Sequence, residues 1–540
     1  MTTRFPGASL ALPALAWLGT PAAAAQCPRD ELVASDGAIH DRFGQALSLK
    51  DGRALIAATF DHPTSFGSGS GTGAAYVYEE TAAGWVELAK LVASDGAAVD
   101  QFGFSVAIDG GTALVGAVLD DDLGQDSGSA YVFEEGPGGW TQTAKLNAGD
   151  GAAFDRFGYA AALEGDTAVV AANQFLGGGP GKLYVFERQG SVWVQTEVLV
   201  PASAEAGDRF GSSLALDGDR LVAGAPLDDD AGADAGAAYV FERTPQGWAE
   251  TAKLVASSGL PGDELGIDVA LDGDAVAAGA WQGFSGGAGA VRVFELQGAQ
   301  WVEAAQLTAA DGEAGDLFGF SVGLSGGALL VGSRFDDDAA SKAGSVYLFE
   351  ETGAGWTGTA HLLPEEPAVE GEFGYSLALQ GGLGLIGAIA GPGATAGSGS
   401  VYAYTVLGLC GSPSAVSLAA GGSHSLDLKA GAALAGELFL VLGSASGTAP
   451  GIPLDGLLLP LAVPDPYFNF TLGSPGTPPL TGSLGSLDPA GEAAAAFTLP
   501  PGTLPSLAGL LLHHAFLVLD VAASGQAVFA SNAVAVSLVP

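Results

Sequence analysis

Basic residues are scarce in this chain: 18 Lys and Arg stand against 60 Asp and Glu over 540 residues, for a formal net charge of −42 at pH 7. So negative a chain repels nucleic acid and anionic membrane, and it suits cations or salty surroundings. Cysteine is nearly absent. Cys27 and Cys410 are the only two, which excludes a disulfide-dense scaffold and a Cys-rich metal cluster. The six histidines, His40, His62, His361, His424, His513 and His514, occupy dissimilar places, none in a nucleophile elbow or a metal-ligand pair at helical spacing. Adjacent in a strand-like run, His513 and His514 face opposite ways, which disfavours a shared metal. Long apolar runs are also missing past the N-terminal segment. The most apolar stretch, Leu507 to Ala523, contains His513, His514 and Asp520 and reads as a buried strand rather than a membrane span.

What is abundant is glycine, 85 residues, within a composition that is 48% hydrophobic, so the chain is folded and rich in turns. Residues 1–25 read as a signal peptide. Arg4 supplies the positive start, Ala8 to Leu18 the apolar core, and Ala23 to Ala25 the cleavage site before Gln26, with Cys27 wrongly placed for lipidation. From there to residue 410 the chain repeats itself. A Phe-Gly pair recurs at Phe43, Phe102, Phe157, Phe210, Phe318 and Phe373, with Leu265-Gly266 in the remaining slot, at spacings of 59, 55, 53, 55, 53 and 55. Seven units of this length, each with strand-like alternation and turn signals, predict an all-β, seven-bladed β-propeller with about four strands per blade.

The second unit shows the parts: FGFSVAI from Phe102, ALVGAV from Ala113, SAYVFE from Ser129 and WTQTAKL from Trp140. The Trp strand recurs at Trp85, Trp140, Trp193, Trp248, Trp301 and Trp356, six times for seven units. The mature N-terminus supplies ELVAS, Glu31 to Ser35, matching the tail of the KLVAS segment at Lys90 to Ser94. It is expected to complete blade seven and leave no free sheet edge. Cys27 and Cys410 flank the strands so joined, and in an exported chain a disulfide is the expectation.

Phe-Gly at the start of the unit, with Gly224-Ala225-Pro226 about fourteen residues later, resembles the FG-GAP repeat of integrin α-subunit propellers and of many bacterial surface proteins. Variants of the second triplet stand at Gly116-Ala117-Val118, Gly279-Ala280-Trp281, Gly332-Ser333-Arg334 and Gly387-Ala388-Ile389. The resemblance implies an extracellular propeller used for adhesion or ligand binding. In integrins it also implies calcium bound through D-x-D-x-D-G loops, a motif absent here, where the corresponding turns are short, as at Leu216-Asp217-Gly218-Asp219.

Another set of acids has the right chemistry for a hard cation such as Ca2+, which needs several converging oxygens. Between strands two and three of blades two, four and six stand Asp120, Asp121 and Asp122 with Asp126; Asp228, Asp229 and Asp230 with Asp234; and Asp336, Asp337 and Asp338. Loops entering the first strands share that side of the ring and carry Asp36, Asp41, Asp95, Asp100, Asp150, Asp155, Asp208, Asp263, Asp311 and Asp316. The competing reading is that these acids cap turns and keep the protein soluble. The axis reads as mainly Ala, Gly and Val, without the clustered polar groups that catalysis needs.

After Cys410 the composition turns richer in Leu, Ala and Pro, and residues 411–540 read as a separate all-β domain of sandwich type, with strands near 423–429, 437–443, 467–472, 494–499, 515–521 and 533–538. The functional expectation is a secreted or cell-surface, non-enzymatic binding or adhesion protein. Its ligand would be an extracellular protein or polysaccharide held on the acidic loop face. The alternatives are a secreted enzyme acting on polysaccharide or phosphoester, and a purely structural matrix protein.

Overall fold

The computed structural model describes residues 27–406 except 62–70, 82–83, 284, 353–354 and 365, and beyond residue 407 the backbone of a series of strands. The leader read at 1–25 lies outside the described residues. No helix occurs among those described.

Seven four-stranded antiparallel sheets follow one another from Cys27 to Thr405. In blade two, Phe102–Asp109, Thr112–Ala117, Ser129–Gly136 and Gly139–Leu146 pair in sequence order, and blades one and three to six repeat the arrangement. First strands of neighbouring blades touch, so they form the inner wall of the ring. Blade seven takes Phe373–Gln380, Leu383–Ala388 and Ser400–Thr405 from the end of the repeat and its outermost strand, Cys27–Leu32, from the N-terminal segment. Leu32 pairs with Val401 and is buried with Phe43 and Leu385, which closes the ring. The strand begins at Cys27, earlier than the expected Glu31, because its pairing with blade seven continues to Thr405.

The Phe-Gly pair makes physical sense at the seam between blades. Phe102 is fully buried, meets Tyr131 and Phe133 edge-on at 5.5 and 5.9 Å, and shares one cluster with Leu55, Ala57 and Val77 of blade one. The glycine after it has φ between 85° and 93° in all seven blades, a region L side chains avoid. A Cβ on Gly158 would lie 2.5 Å from the Ser129 carbonyl oxygen of the preceding blade, and one on Gly116 only 2.1 Å from the Gly158 carbonyl oxygen. The two conspicuous glycines of the repeat are thus opposite sides of one contact, repeated at ring closure between Gly387 and Gly44. Ser105, Ser213, Ser321 and Ser376 strengthen it by donating to the carbonyls of Gly158, Gly266, Gly374 and Gly44 at 2.6 to 2.9 Å. Apolar burial is accordingly divided among clusters shared by adjacent blades rather than gathered in one core.

On one side of the ring lie the tight turns between first and second strands, and there the blades are tied turn to turn. Asp217 accepts the Gly273 N–H at 2.7 Å, Asp272 accepts that of Gly326 at 2.6 Å, and Gln380 accepts that of Asp51 at 2.6 Å across the closure. The opposite side carries the longer loops and is the loop face.

Beyond the ring, Gly408–Ser412 pairs with Gly422–Lys429, which pairs with Glu492–Leu499. A second sheet has Leu511–Asp520 between Leu438–Ser444 and Val534–Val539. The strand expected at 467–472 lies outside the described residues, and so do the side chains of Cys27 and Cys410. Cys27 stands opposite Thr405, and Cys410 lies in the strand that pairs with Gly422–Lys429.

Candidate functional site

Each Asp run of the loop face is split between a buried anchor and exposed neighbours. The anchors, Asp120, Asp228 and Asp336, are 4%, 1% and 3% exposed. Asp120 accepts hydrogen bonds from Ser129 at 2.8 Å, Tyr131 at 3.0 Å and the Asp122 N–H at 3.2 Å, with the Lys145 ammonium at 3.0 Å. Asp228 is held likewise by Tyr239 and Lys253, each at 2.7 Å. In blade one Asp61 takes the same place against Tyr76 and Lys90. Lys90 also reaches Asp36, and Lys145 reaches Asp95 and Asp122, so the two sets of loops do meet on one side. Blade six substitutes a histidine for the lysine. His361 lies 3.4 Å from Asp311 and 3.7 Å from Asp336 and stacks on Tyr347 at 4.1 Å. Burial alone would raise the Asp336 carboxyl, but the adjacent His361 imidazole and hydrogen bonds from the Asp338 N–H, Ser345 and Tyr347 hold it at about 2.

The outer members face water. Asp121, Asp122, Asp229, Asp230, Asp337 and Asp338 are exposed. Asp121 and Asp229 accept the N–H groups of Asp126 and Asp234 at 2.8 and 2.7 Å, and Asp126 and Asp234 have left-handed backbones with φ of 52° and 50°. Two residues before five of the six Phe stand Asp41, Asp100, Asp155, Asp208 and Asp316, with Asp263 likewise before Leu265 and Gly371 before Phe373; these acids are buried and cap the N–H three residues earlier, at 2.6 to 2.8 Å. Burial, with added repulsion from Asp120, Asp228 and Asp336, pushes Asp100, Asp208 and Asp316 upward against the N–H each accepts. Much of the acidic composition of this face is therefore internal scaffolding.

The centre of the loop face is different in kind. The residue before each Phe or Leu, namely Arg42, Gln101, Arg156, Arg209, Glu264, Leu317 and Glu372, has a left-handed backbone, φ 54° to 61°, in every blade. Such a repeated non-glycine conformation costs about 1 kcal/mol or more each and persists only where the surroundings enforce it. Two residues after each Phe or Leu come Gln45, Phe104, Tyr159, Ser212, Ile267, Phe320 and Tyr375. Phe104 meets Tyr159 at 4.9 Å, and Phe320 meets Tyr375 at 5.2 Å and Trp281 at 5.3 Å. Tyr159 and Tyr375 come from blades three and seven, across the ring, yet Tyr375 lies close enough to act on Tyr159, and burial pushes both hydroxyls up. The axial mouth is aromatic and cationic, not the Ala, Gly and Val expected. Those small residues belong to second strands packed inside the blades, whereas the mouth is built by residues flanking the Phe-Gly pair.

The FG-GAP repeat profile matches residues 29–78, 85–133, 140–186, 193–241, 248–294 and 301–349, together more than half of the chain. The chain belongs to the FG-GAP repeat family. Each matched segment runs from an outermost strand into the next blade's third strand, the offset by which residues 27–32 serve blade seven. No curated protein matches the chain. FG-GAP propellers are typical of extracellular binding or adhesion-like proteins and are generally non-enzymatic. Among the described residues no helix is long and apolar enough to cross a membrane.

The D-x-D-x-D-G sequence of integrin-type calcium loops does not occur at the turns between first and second strands. Acids of those turns already hold the next blade's N–H groups. On the inner wall of the FG-GAP ring, Asp268 is held by backbone N–H groups. Burial pushes that carboxyl to about 6, but its oxygens accept the N–H groups of Val269 at 3.0 Å and Val322 at 2.8 Å. Sequence reasoning missed the axial arginines because each sits inside the repeat motif, where DRF at residues 41–43, 155–157 and 208–210 reads as mere variation.

Proposed function

We propose that the protein is a secreted, non-enzymatic binding or adhesion protein that takes an extracellular protein or polysaccharide on the loop face of its ring. One observation carries this reading: the repeat keeps the turn face uniform and knitted, while the loops opposite differ from blade to blade. Blades two and four present exposed acids, blade three presents Phe175 and a glycine run, and blade six presents His361 with Asp311 and Asp338. Loops varied on a rigid repeated scaffold are where binding specificity is built.

Two further elements belong to the proposal. A Cys27–Cys410 disulfide would clasp the N-terminal strand to the end of the ring. Divalent-cation binding, calcium first, falls to the outer carboxylates, since the buried anchors are occupied by Tyr, Ser and Lys donors. Blade six offers a second set, Asp311, Asp338 and His361, whose ligand atoms lie within 4.8 Å of one another. The test is a glycan and matrix-protein array probed with and without calcium, using the wild type and the triple variant Asp121→Asn, Asp229→Asn, Asp337→Asn. At positions 121 and 229 the asparagine keeps the turn-capping acceptor, and all three changes remove charge. A ligand whose binding falls about 10-fold or more supports the reading, given about 1.5–3 kcal/mol per charged hydrogen bond. No ligand on either array, with ordered self-assembly instead, overturns it in favour of a structural protein.

A further inference from the structure

In a chain this acidic, a basic side chain without an acidic partner is an anomaly. Lys50, Arg53, Lys90, Lys145, Lys182, Arg188, Arg220, Arg243, Lys253, Arg292 and Arg334 each form an ion pair at 3.7 Å or closer. Among the other described basic side chains of the ring, Arg42, Arg156, Arg209 and Lys342 have no carboxylate at ion-pair distance. Arg42, Arg156 and Arg209 each precede a Phe-Gly pair at the axial mouth of the loop face, and Lys342 adjoins it, its carbonyl accepting the N–H of Glu372, which holds the same position in blade seven.

The mouth holds these cations on aromatic rings instead of acids. Arg209 stacks on Phe175 at 3.7 Å, with Arg156 over the same ring at 5.4 Å. Arg42 lies over Phe60 at 4.8 Å, and Lys342 over Phe335 at 4.8 Å, beside Arg334 at 4.4 Å from that ring. Stacking fixes a guanidinium in place while leaving its in-plane N–H fork unspent. Acids stand nearby without pairing with these four: Glu372 pairs with Arg334 at 3.7 Å and feels the charges of Arg42 and Lys342, while Glu264, which accepts the Trp281 indole N–H, and Asp234 act on Arg209, leaving the cations in the majority. Backbone geometry enforces the display, because Arg42, Arg156, Arg209 and Lys342 all have left-handed backbones, with φ of 58°, 57°, 56° and 51°. Burial pulls the Arg209 guanidinium below its ordinary value, and this loss of hydration outweighs the opposing charges of Glu264 and Asp234.

We propose that this axial mouth binds a single anionic group, a carboxylate or a sulfate, carried by a ligand that is otherwise neutral or basic. The inference rests on the loop-face reading above and names the chemistry recognised there. Arginine forks match planar or tetrahedral oxyanions, and a cation already desolvated loses little further hydration on pairing. The surrounding ring of exposed Asp121, Asp122, Asp229, Asp230, Asp337 and Asp338 sets the second half of the specificity. An acidic rim repels a polyanion whose charges extend past the hub, while it tolerates or attracts neutral and basic surroundings.

The experiment titrates the full mature chain with sodium sulfate and, separately, with sodium glucuronate, against sodium chloride at matched ionic strength. Calorimetry and thermal shift are the readouts. Saturable binding of one or both beyond chloride is expected, and which of the two binds tells sulfate from carboxylate. In the variant Arg156→Gln, Arg209→Gln the affinity falls about 10-fold or more, with the melting temperature of the unliganded protein little changed. Arg42→Gln, on the other side of the mouth, gives an independent loss that does not depend on the double variant folding. Dextran sulfate is expected to bind no more tightly than sulfate itself.

Equal response to sulfate, glucuronate and chloride overturns the proposal. So does binding undiminished in both arginine variants, or a strong preference for the polymer. An array ligand that survives the arginine substitutions but is lost on neutralising the outer aspartates would overturn this site while leaving loop-face binding intact.

Discussion

Replacing Asp268 by serine tests whether the inner wall is as closely packed as the repeat implies. In blades two, four, six and seven the equivalent residue is Ser105, Ser213, Ser321 or Ser376, each donating to a glycine carbonyl of the next blade. Blade five has a carboxyl there, partly open to solvent along the wall yet ringed by protein, and that desolvation lifts it from an ordinary 3.8 to about 6, against the two N–H groups it accepts. The folded-state pKa is above the unfolded one, so folding favours the protonated acid. The stability this contributes is complete below about pH 3.8 and is lost as pH rises through about 6. A two-unit shift amounts to about 3 kcal/mol in full, of which about 2 kcal/mol falls between pH 4.5 and 7.5. Wild type should therefore lose about 2 kcal/mol relative to Asp268→Ser over that interval, whatever constant offset the exchanged hydrogen bonds introduce. Urea unfolding of both proteins at several pH values reads this difference directly, and a carbon-detected carboxyl titration locates the pKa. A stability difference that stays flat with pH, or a carboxyl titrating near 4, would refute the account of a desolvated group in the wall.

Two other substitutions probe the scaffold. Gly158→Ala forces a Cβ to 2.5 Å from the Ser129 carbonyl oxygen at φ 92°, whereas Gly165→Ala, at φ 55° with nothing within 4 Å, meets only backbone strain. The first should cost at least about 3 kcal/mol and the second about 1 kcal/mol, measured by denaturant unfolding; equal costs would contradict the blade-to-blade contact. His361→Lys restores the ammonium found at Lys90, Lys145 and Lys253. Although burial opposes it, the adjacent carboxylates of Asp336 and Asp311 raise the His361 pKa, so its stabilising charge is present at low pH and lost as pH rises through that raised value. The variant should match wild type near pH 5.5 and exceed it in melting temperature near pH 8.5; no difference at either pH would show that the blade-six charge cluster needs no cation.

Much of the ring was legible because each blade is one local unit stacked on its neighbours, so its requirements recur at a fixed interval. Phe102 had to be apolar and Gly103 had to lack a side chain for reasons that recur in every blade, and periodicity exposes what recurs. The missing seventh Trp strand was legible for the same reason, since one absent copy leaves a free edge that Cys27–Leu32 fills. The candidate site was harder to read. Asp120 and Asp121 are neighbours of the same type, yet one is sealed under Tyr131 and Lys145 while the other faces water. A run of like residues does not say which member turns inward.

The sequence by itself determined an all-β ring of seven blades, its closure by the N-terminal strand and its excess of negative charge, because these follow from period, count and composition. Only the tertiary structure decided where that charge is spent and where it is not. Residues 42, 156 and 209 are more than fifty positions apart along the chain and gather only because first strands from different blades converge on one axis. There they stand on aromatic rings, with no carboxylate at ion-pair distance, at the centre of an acidic face.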